Sequence, residues 1–389
     1  MMTQASPAEG RNSAPAPIAV LLGDSEVKIW GRTGAERLRR QLRTAGIVDA
    51  VTDVAAVHAH SGTVLLLHSG WVFDESLVVA LSKAAPGSLL VDETSGCIVA
   101  ALVDAASVAA VVPRIGAPAG ALPAGQRLMT PATLAGSYNH RLRKREVPFL
   151  GALSEATAPE IERRTFAASY KGVTDLVTKY VWPWPARHVT RFCARVGITP
   201  NQVTMASLAF VIIAFFQFRD GHYATGLLAA WVMTFLDTVD GKLARVTLQS
   251  SKFGDIFDHG IDLIHPPFWW WAWLSGLGVA GFAFPEQHLV LMIVLVGYVA
   301  QRLEELVFKL LCGVGMHVWR PFDSFMRLIT ARRNPNLLIL TVSVLLGRPD
   351  IGMQVVAAWV VICFVIHAIC IVQGVIARRR GPLSSWLAG

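Results

Sequence analysis

Asp237 and Asp240 stand three residues apart, and Asp258 and Asp262 four apart, within the run DTVDGKLARVTLQSSKFGDIFDHGID. Either spacing puts its pair on one face of a helix. Two antiparallel helices joined by the short polar connection between the pairs would bring four carboxylates together. Both flanking segments are apolar, and unpaired charge in an apolar bundle is costly. Hard divalent cations with oxygen ligands are the natural counter-charge, and Mg²⁺ in particular is held by a few carboxylates together with substrate phosphates. Two ions sharing carboxylates would organise an in-line displacement at phosphorus. Gly241, directly after Asp240, and Gly254, at the end of the connection, would let backbone approach a nucleotide closely. Arg245, one turn beyond Gly241, is placed to hold a phosphate oxygen. Asp262, the last of the four, could accept a proton from an attacking hydroxyl. The same residues could instead make structural ion pairs, or line the pathway of a cation-coupled membrane transporter. Against that, only Lys242 and Arg245 lie nearby to pair with four or five carboxylates, Asp255 included.

The chain around this run is unusually apolar. Of 389 residues, 53% are hydrophobic and only 16% charged, and there are 12 Trp. A soluble domain carries about 25% charged residues, and Trp favours the membrane–water boundary, so a wholly soluble enzyme is excluded. Disorder throughout, collagen and a disulfide-rich secreted scaffold are excluded by the same composition. The net charge of +8 fits anionic lipid or a phosphate-bearing substrate. Nucleic acid is not indicated, because Lys and Arg are scattered rather than grouped on one polar module. The five Cys form no C-x-x-C pair and read as reduced, structural residues.

The apolar residues divide the chain. Residues 1–17, rich in Pro, Ala and Ser, read as a disordered tail without the basic start and apolar core of a signal peptide. From 18 to 125, PIAVLLG, GTVLLLHS and SGCIVAALV are buried-strand patterns, and GAERLRRQLRTAGI is an amphipathic helix. Their alternation predicts a soluble α/β domain. Residues 126–169 form a basic connector containing Arg141, Arg143, Lys144 and Arg145. From 170 to 197, Trp182 and Trp184 among Arg187, Arg191 and Arg195 suit an interfacial amphipathic helix. Six apolar segments follow, near 203–218, 223–239, 256–276, 289–311, 335–347 and 352–376. Arginines and lysines between them fall on one side, which the positive-inside rule makes cytosolic. The prediction is a multi-pass α-helical membrane protein with six transmembrane helices and an N-terminal α/β domain. It would lie in the plasma (inner) membrane with both termini and the acidic site cytosolic. The run Phe268-Trp269-Trp270-Trp271-Ala272-Trp273 is expected to form an aromatic belt at the outer interface.

The acidic run resembles the CDP-alcohol phosphotransferase family, whose signature is D-x-x-D-G-x-x-A-R, eight residues, then G-x-x-x-D-x-x-x-D. Asp237, Asp240, Gly241, Ala244, Arg245, Gly254, Asp258 and Asp262 occupy all its fixed positions. The resemblance covers roughly 170–389 and implies a six-helix, usually dimeric membrane fold with a polar cavity open to the cytosol. It implies two Mg²⁺ or Mn²⁺ ions on Asp237, Asp240 and Asp258, with Asp262 as ligand and general base. It further implies CDP contacts from Gly241, Ala244, Arg245, Ser251 and Gly254. Asn201 and Thr204 join them, in a Thr199-Pro200-Asn201-Gln202-Val203-Thr204 stretch that looks like the family's TPN-x-x-T. An acceptor hydroxyl would attack the β-phosphorus of a CDP-linked donor, such as CDP-diacylglycerol or a CDP-polyol, and CMP would leave.

Arg332 and Arg333, in the basic loop MRLITARRNPN, either bind an acceptor phosphate bidentately or only obey the positive-inside rule. The N-terminal domain faintly resembles sugar-phosphate nucleotidyltransferases, through its first strand and the helix LRRQLRTAGI. It has no G-x-G-x-x-R, and Ser69 and Gly70 stand where that family places a metal-binding Asp. A degenerate, non-catalytic domain is therefore expected, and the fusion points towards inositol phosphate or a related polyol phosphate as acceptor.

Overall fold

The computed structural model describes residues 17–57, 60–249 and 252–388, without the side chains of residues 252, 253 and 255. The expected tail lies almost wholly outside this range, as does Ser251. Two compact units are formed, one running to Gly136 and including Val147–Glu162, the other comprising Ser137–Glu146 and the chain from Arg163. The connector expected at 126–169 is thus not a linker in sequence order, since its parts belong to both units.

The first unit is built on a six-stranded mixed sheet. Its strands are β1 (Ile18–Leu22), β2 (Ala50–Val51), β3 (Thr63–His68), β4 (Ser88–Val91), β5 (Ile98–Asp104) and β6 (Arg127–Met129). They lie in the order β2-β1-β3-β5-β4-β6, with β1 parallel to β2 and β3, and β5 antiparallel to β3 and β4. β3 and β5 are buried on both faces, which explains their unbroken apolar sequence. Alternate residues serve opposite cores: Leu65 and Leu67 meet α1 (Gly34–Thr44) and α2 (Glu75–Ser82), whereas Val64 and Leu66 pack with Val57, Val108 and Val111. Thr33 and Glu36 close a capping box at the start of α1, each side chain bonding the other's backbone amide.

The second unit is helical. It contains α3 (Pro183–Val196), α4 (Pro200–Arg219), α5 (Tyr223–Val246), α6 (Lys252–Val279), α7 (Gln287–Cys312), α8 (Pro321–Ile329), α9 (Arg333–Leu345) and α10 (Pro349–Arg378). Five of the apolar segments read from the sequence lie within α4, α5, α6, α7 and α10, and the fifth in order, 335–347, runs two residues past the end of α9. Among the described residues, by length and composition only α4 and α10 qualify outright as bilayer crossings. α5, α6 and α7 have the length but carry acidic and basic residues, and α9 has 13 residues against the roughly 20 of a straight crossing.

The Trp run of α6 corrects one expectation. Trp269, Trp270 and Trp273 are at most 1% exposed and form the centre of the bundle core; only Trp271 and Phe268 face outward. Indole N–H groups need partners when buried. Trp269 donates to the Val211 carbonyl at 3.0 Å and Trp273 to that of Pro349 at 3.1 Å. A run this apolar reads as a belt, but helical periodicity puts three of its four indoles on the inner face. Gly276 lies one turn further along α6, where a Cβ would come within 2.0 Å of the Phe218 carbonyl, so only Gly permits this close approach. Pro266 and Pro267 interrupt the hydrogen-bond ladder of α6. The carbonyl of Leu263, which Pro267 cannot serve, accepts instead from the Tyr298 hydroxyl of α7 at 2.9 Å.

Trp273→Ala should destabilise the detergent-solubilised protein by about 3–5 kcal/mol, as for aromatic truncation in a packed core. Trp271→Ala should change stability by no more than about 0.5 kcal/mol, as at surfaces. Thermal unfolding of the two variants measures the contrast, and equal losses would contradict the buried placement.

Candidate active site

The site is assembled where α4, α5, α6 and α9 meet. α3 ends at Gly197, whose φ of 79° gives the left-handed turn that redirects the chain. Thr199 then caps α4: its hydroxyl accepts from the Gln202 amide at 3.4 Å, while the Gln202 side chain accepts from the Thr199 amide at 2.8 Å. Pro200 occupies the first helical position, where its missing N–H costs nothing. This start fixes Thr204 one turn inside α4. Its hydroxyl, buried, donates to Asp240 Oδ2 at 2.6 Å. The TPN-x-x-T stretch and the acidic run therefore meet, with Thr204 orienting a carboxylate. Asn201 is exposed on the same turn.

Oxygens of Asp237, Asp240 and Asp258 all lie within 4.8 Å of one another. Asp240 is only 3% exposed, and its Oδ1 has no hydrogen-bond partner. Spacing predicted four converging carboxylates; among the described residues the structure groups three. Asp262 is held apart by Arg333, whose Nη1 donates to Asp262 Oδ1 while its Nη2 donates to Asp237 Oδ2 at 2.6 Å. Arg333, expected to face an acceptor phosphate, thus bridges two carboxylates. Its 71-residue separation from Asp262 hides this pairing from any local motif. Lys242, taken from the sequence as a neighbouring cation, turns away: its ammonium stacks 3.3 Å from the Tyr170 ring centre and reaches the Ser169 carbonyl.

The remaining signature positions lie along the same helices. A Cβ on Gly241 would sit 3.1 Å from Arg245 Nη2, so the absent side chain leaves room for the guanidinium. Arg245 is half-buried and its Nε has no hydrogen-bond partner. Ala244 is half-buried, and Gly254 lies within the first turn of α6 rather than in the connection before it.

Beside the carboxylates opens a cavity of about 420 Å³. Asp262 lines it, together with five cations: Lys171, Arg302, Arg327, Arg332 and Arg333. They come from separate segments, and sequence reasoning singled out only the last two. Arg332 donates to Glu305 of α7. Arg327 Nη1 and Arg302 Nε are buried without hydrogen-bond partners. Burial, and then the neighbouring Arg332, push the Arg327 guanidinium below its ordinary value. Such crowding of cations is relieved by an anionic ligand. Asp175, also in the lining, accepts from the Thr178 amide at 3.0 Å and from the Asn334 side chain at 2.9 Å. Burial opposes its charge, but these hydrogen bonds outweigh it and hold the carboxyl below its ordinary value. The ionised Asp175 ties the stretch before α3 to the start of α9.

A second cavity, about 680 Å³ and almost wholly apolar, lies between α4 and α6. Leu208, Ile212, Phe215, Ile256, Ile264 and Phe268 are among its walls.

In the first unit, β2 and β3 flank β1 on opposite sides, so the chain's connections reverse between β1 and β3, the usual place for a ligand in an open α/β sheet. His68, at the end of β3, fills it. A Cβ on Gly23, Gly70 or Gly116 would come within 3.0 Å of its ring. The Ser69 hydroxyl closes the crevice floor by donating to the Gly23 carbonyl at 2.6 Å.

Residues 197–326 match the family model for CDP-alcohol phosphatidyltransferases. The family is membrane-embedded, in accord with the two apolar spans. The chain is 38% identical over 79 residues to an archaetidylinositol phosphate synthase of Pyrococcus horikoshii, covering 20% of this chain and 42% of the relative. It is 30% identical over 115 residues to a phosphatidylinositol phosphate synthase of Mycobacteroides abscessus, covering 28% and 52%. It is also 29% identical over 145 residues to human cholinephosphotransferase 1, covering 34% of each. The chain thus spans about half or less of the length of these curated relatives. A solved phosphatidylinositol phosphate synthase of Mycobacterium tuberculosis, in complex with manganese and citrate, gives a TM-score of 0.34 at 22% identity, over 48% of this chain and 89% of that one.

Thr204→Val removes the donor to Asp240 and leaves a buried carboxylate oxygen unserved. It should cost about 1–3 kcal/mol in denaturant unfolding of the detergent-solubilised protein, the penalty for an unsatisfied buried acceptor. Unchanged stability would show that the bond does not hold Asp240.

Proposed function

We propose that the protein transfers a phosphoalcohol group from a CDP-linked lipid donor to a phosphorylated polyol acceptor, with release of CMP. The observation that carries this reading is the adjacency of a three-carboxylate cluster to a cavity lined by five cations, with Asp262 facing that cavity. Neutral acceptors need no such lining. A phosphate matches it, and inositol phosphate is the acceptor class that the names of two relatives favour. The apolar cavity between α4 and α6 supports a lipid-linked donor such as CDP-diacylglycerol, because the same helices carry Thr204 and Asp258. Nothing in the matched family supports the transporter alternative.

The residues present fit a divalent metal. Asp237, Asp240 and Asp258 supply hard oxygen donors, and the unpartnered Oδ1 of Asp240 is a buried acceptor in want of a cation. Mg²⁺ or Mn²⁺ bound there, two ions in the family's manner, would neutralise the diphosphate and polarise its phosphorus. Around it the protein's own groups have separate tasks. Arg245, over Gly241, reaches towards a phosphate oxygen of the CDP moiety, and Asn201 presents a polar side chain on the neighbouring helix. Arg332, Arg327 and Lys171 hold the acceptor phosphate, which orients its hydroxyl towards the β-phosphorus. Asp262 takes the hydroxyl proton as the new P–O bond forms. The bond from the β-phosphorus to CMP breaks, and CMP leaves with the electron pair. Arg333, between Asp262 and Asp237, holds the Asp262 carboxylate in place for this role.

In this reading the six long helices all lie in the membrane, with the site and both termini on the cytosolic side of the plasma membrane, and the protein works as a homodimer. The N-terminal unit is a non-catalytic relative of the nucleotidyltransferases, supported by His68 filling the crevice that a nucleotide would need.

Protein in detergent with Mg²⁺, CDP-diacylglycerol and inositol phosphate should release CMP and yield the phosphorylated lipid by mass spectrometry, and chelation of the metal should stop it. Asp262→Asn should lower turnover by about 100- to 10,000-fold, the contribution of a general base. Undiminished turnover in that variant, with an unaltered melting temperature, would remove Asp262 from the chemistry.

A further inference from the structure

Arg332 reaches the cation-lined cavity from a constrained starting point. Its backbone is the cap of α9, and its amide is turned inward onto the Thr330 carbonyl at 2.6 Å. The guanidinium has several rotamers open from such a position, and an arginine binds a phosphate through two N–H groups only when its plane is fixed. Glu305, on α7, supplies that constraint. Its Oε1 accepts from Arg332 Nη2, and the same oxygen lies 3.2 Å from His317 Nε2. His317 is 5% exposed and itself anchored, since its carbonyl accepts from the Ser324 hydroxyl at 2.7 Å. The carboxylate oxygen therefore sits between a buried ring and one edge of the guanidinium. Arg302, one turn before Glu305, also lines the cavity, so this face of α7 is turned to the same ligand.

The geometry points to Glu305 as a positioning residue for the acceptor phosphate. It fixes the plane of Arg332 from outside the cavity and touches neither substrate nor reacting atoms. The assignment rests on the proposed phosphorylated acceptor. It has a counter-intuitive consequence that separates geometry from charge. By charge alone, removing an anion from a cation cluster tightens the binding of another anion. If Glu305 acts by position, loss of its contact weakens that binding although the charge of the cavity is unchanged or more positive.

Two conservative variants divide these effects. Glu305→Asp keeps the charge but withdraws the carboxylate by one methylene, and Glu305→Gln loses the charge but keeps an acceptor oxygen where Arg332 needs it. With the full-length protein, Mg²⁺, CDP-diacylglycerol and inositol phosphate, Glu305→Asp should raise the acceptor KM about tenfold, with kcat and the donor KM within about twofold of wild type, the pattern of lost ground-state and transition-state binding alike. Glu305→Gln should stay within about threefold of wild type in all three. In an Arg332→Gln background, Glu305→Asp should add nothing further, because the partner through which it acts is gone. Wild-type acceptor KM in Glu305→Asp, or a lower KM in Glu305→Gln, would overturn the positioning role. Absence of CMP release by wild-type protein with this acceptor would instead overturn the reading of the cavity itself.

Discussion

Three carboxylates held within 4.8 Å of one another inside an apolar bundle are the constraint around which the helical unit is arranged. Desolvating a single ion costs several kcal/mol, and like charges at this separation add to it. The surroundings answer that cost with directed contacts. Thr204 donates to Asp240 from α4, and Arg333 spans Asp237 and Asp262 from α9. The cap that starts α4, the proline at its first position and the buried Asp175–Asn334 bond that sets the start of α9 are all in the service of those donors. What is left unserved, Asp240 Oδ1, is where hard-cation chemistry fits.

Charge in the site is uneven, and in the cavity five cations outnumber the carboxylates of Asp175 and Asp262. Carboxylates cluster on α5 and α6, while five cations line the adjoining cavity, and Asp262 with Arg333 forms the boundary between them. In the proposed reading, a metal-binding and a phosphate-binding region thus lie side by side. Lys242 illustrates the same economy, since its ammonium is kept off the carboxylates by the ring of Tyr170. The aromatic core underneath, from Trp269 to Trp273, gives the helices a rigid base, with the buried indole N–H groups of Trp269 and Trp273 each tied to a neighbouring helix carbonyl.

The two units use opposite solutions to the burial of a polar crevice. In the sheet unit the place between β1 and β3 is filled by His68 packed among three glycines. Among the described residues nothing comparable plugs the helical site, where Gly241 leaves space for Arg245. Glycines thus make room for an imidazole in the one case and for a guanidinium in the other.

The sequence by itself determined much of this. Six apolar segments each became one long helix, the strand patterns at 18–22, 63–68 and 98–104 took their places in one sheet, and the paired spacings of Asp237, Asp240 and Asp258 put them on facing helices. Those features are local, because period, capping and i,i+3 or i,i+4 geometry are set within a few residues. The tertiary structure alone decided that Asp262 pairs with Arg333, that Lys242 faces Tyr170, and that Lys171, Arg302 and Arg327 share a cavity with Arg332. It also decided that the Trp run is core and not belt. Each of these depends on which faces of distant helices meet, and a pairing across 71 residues leaves no periodic trace in the chain.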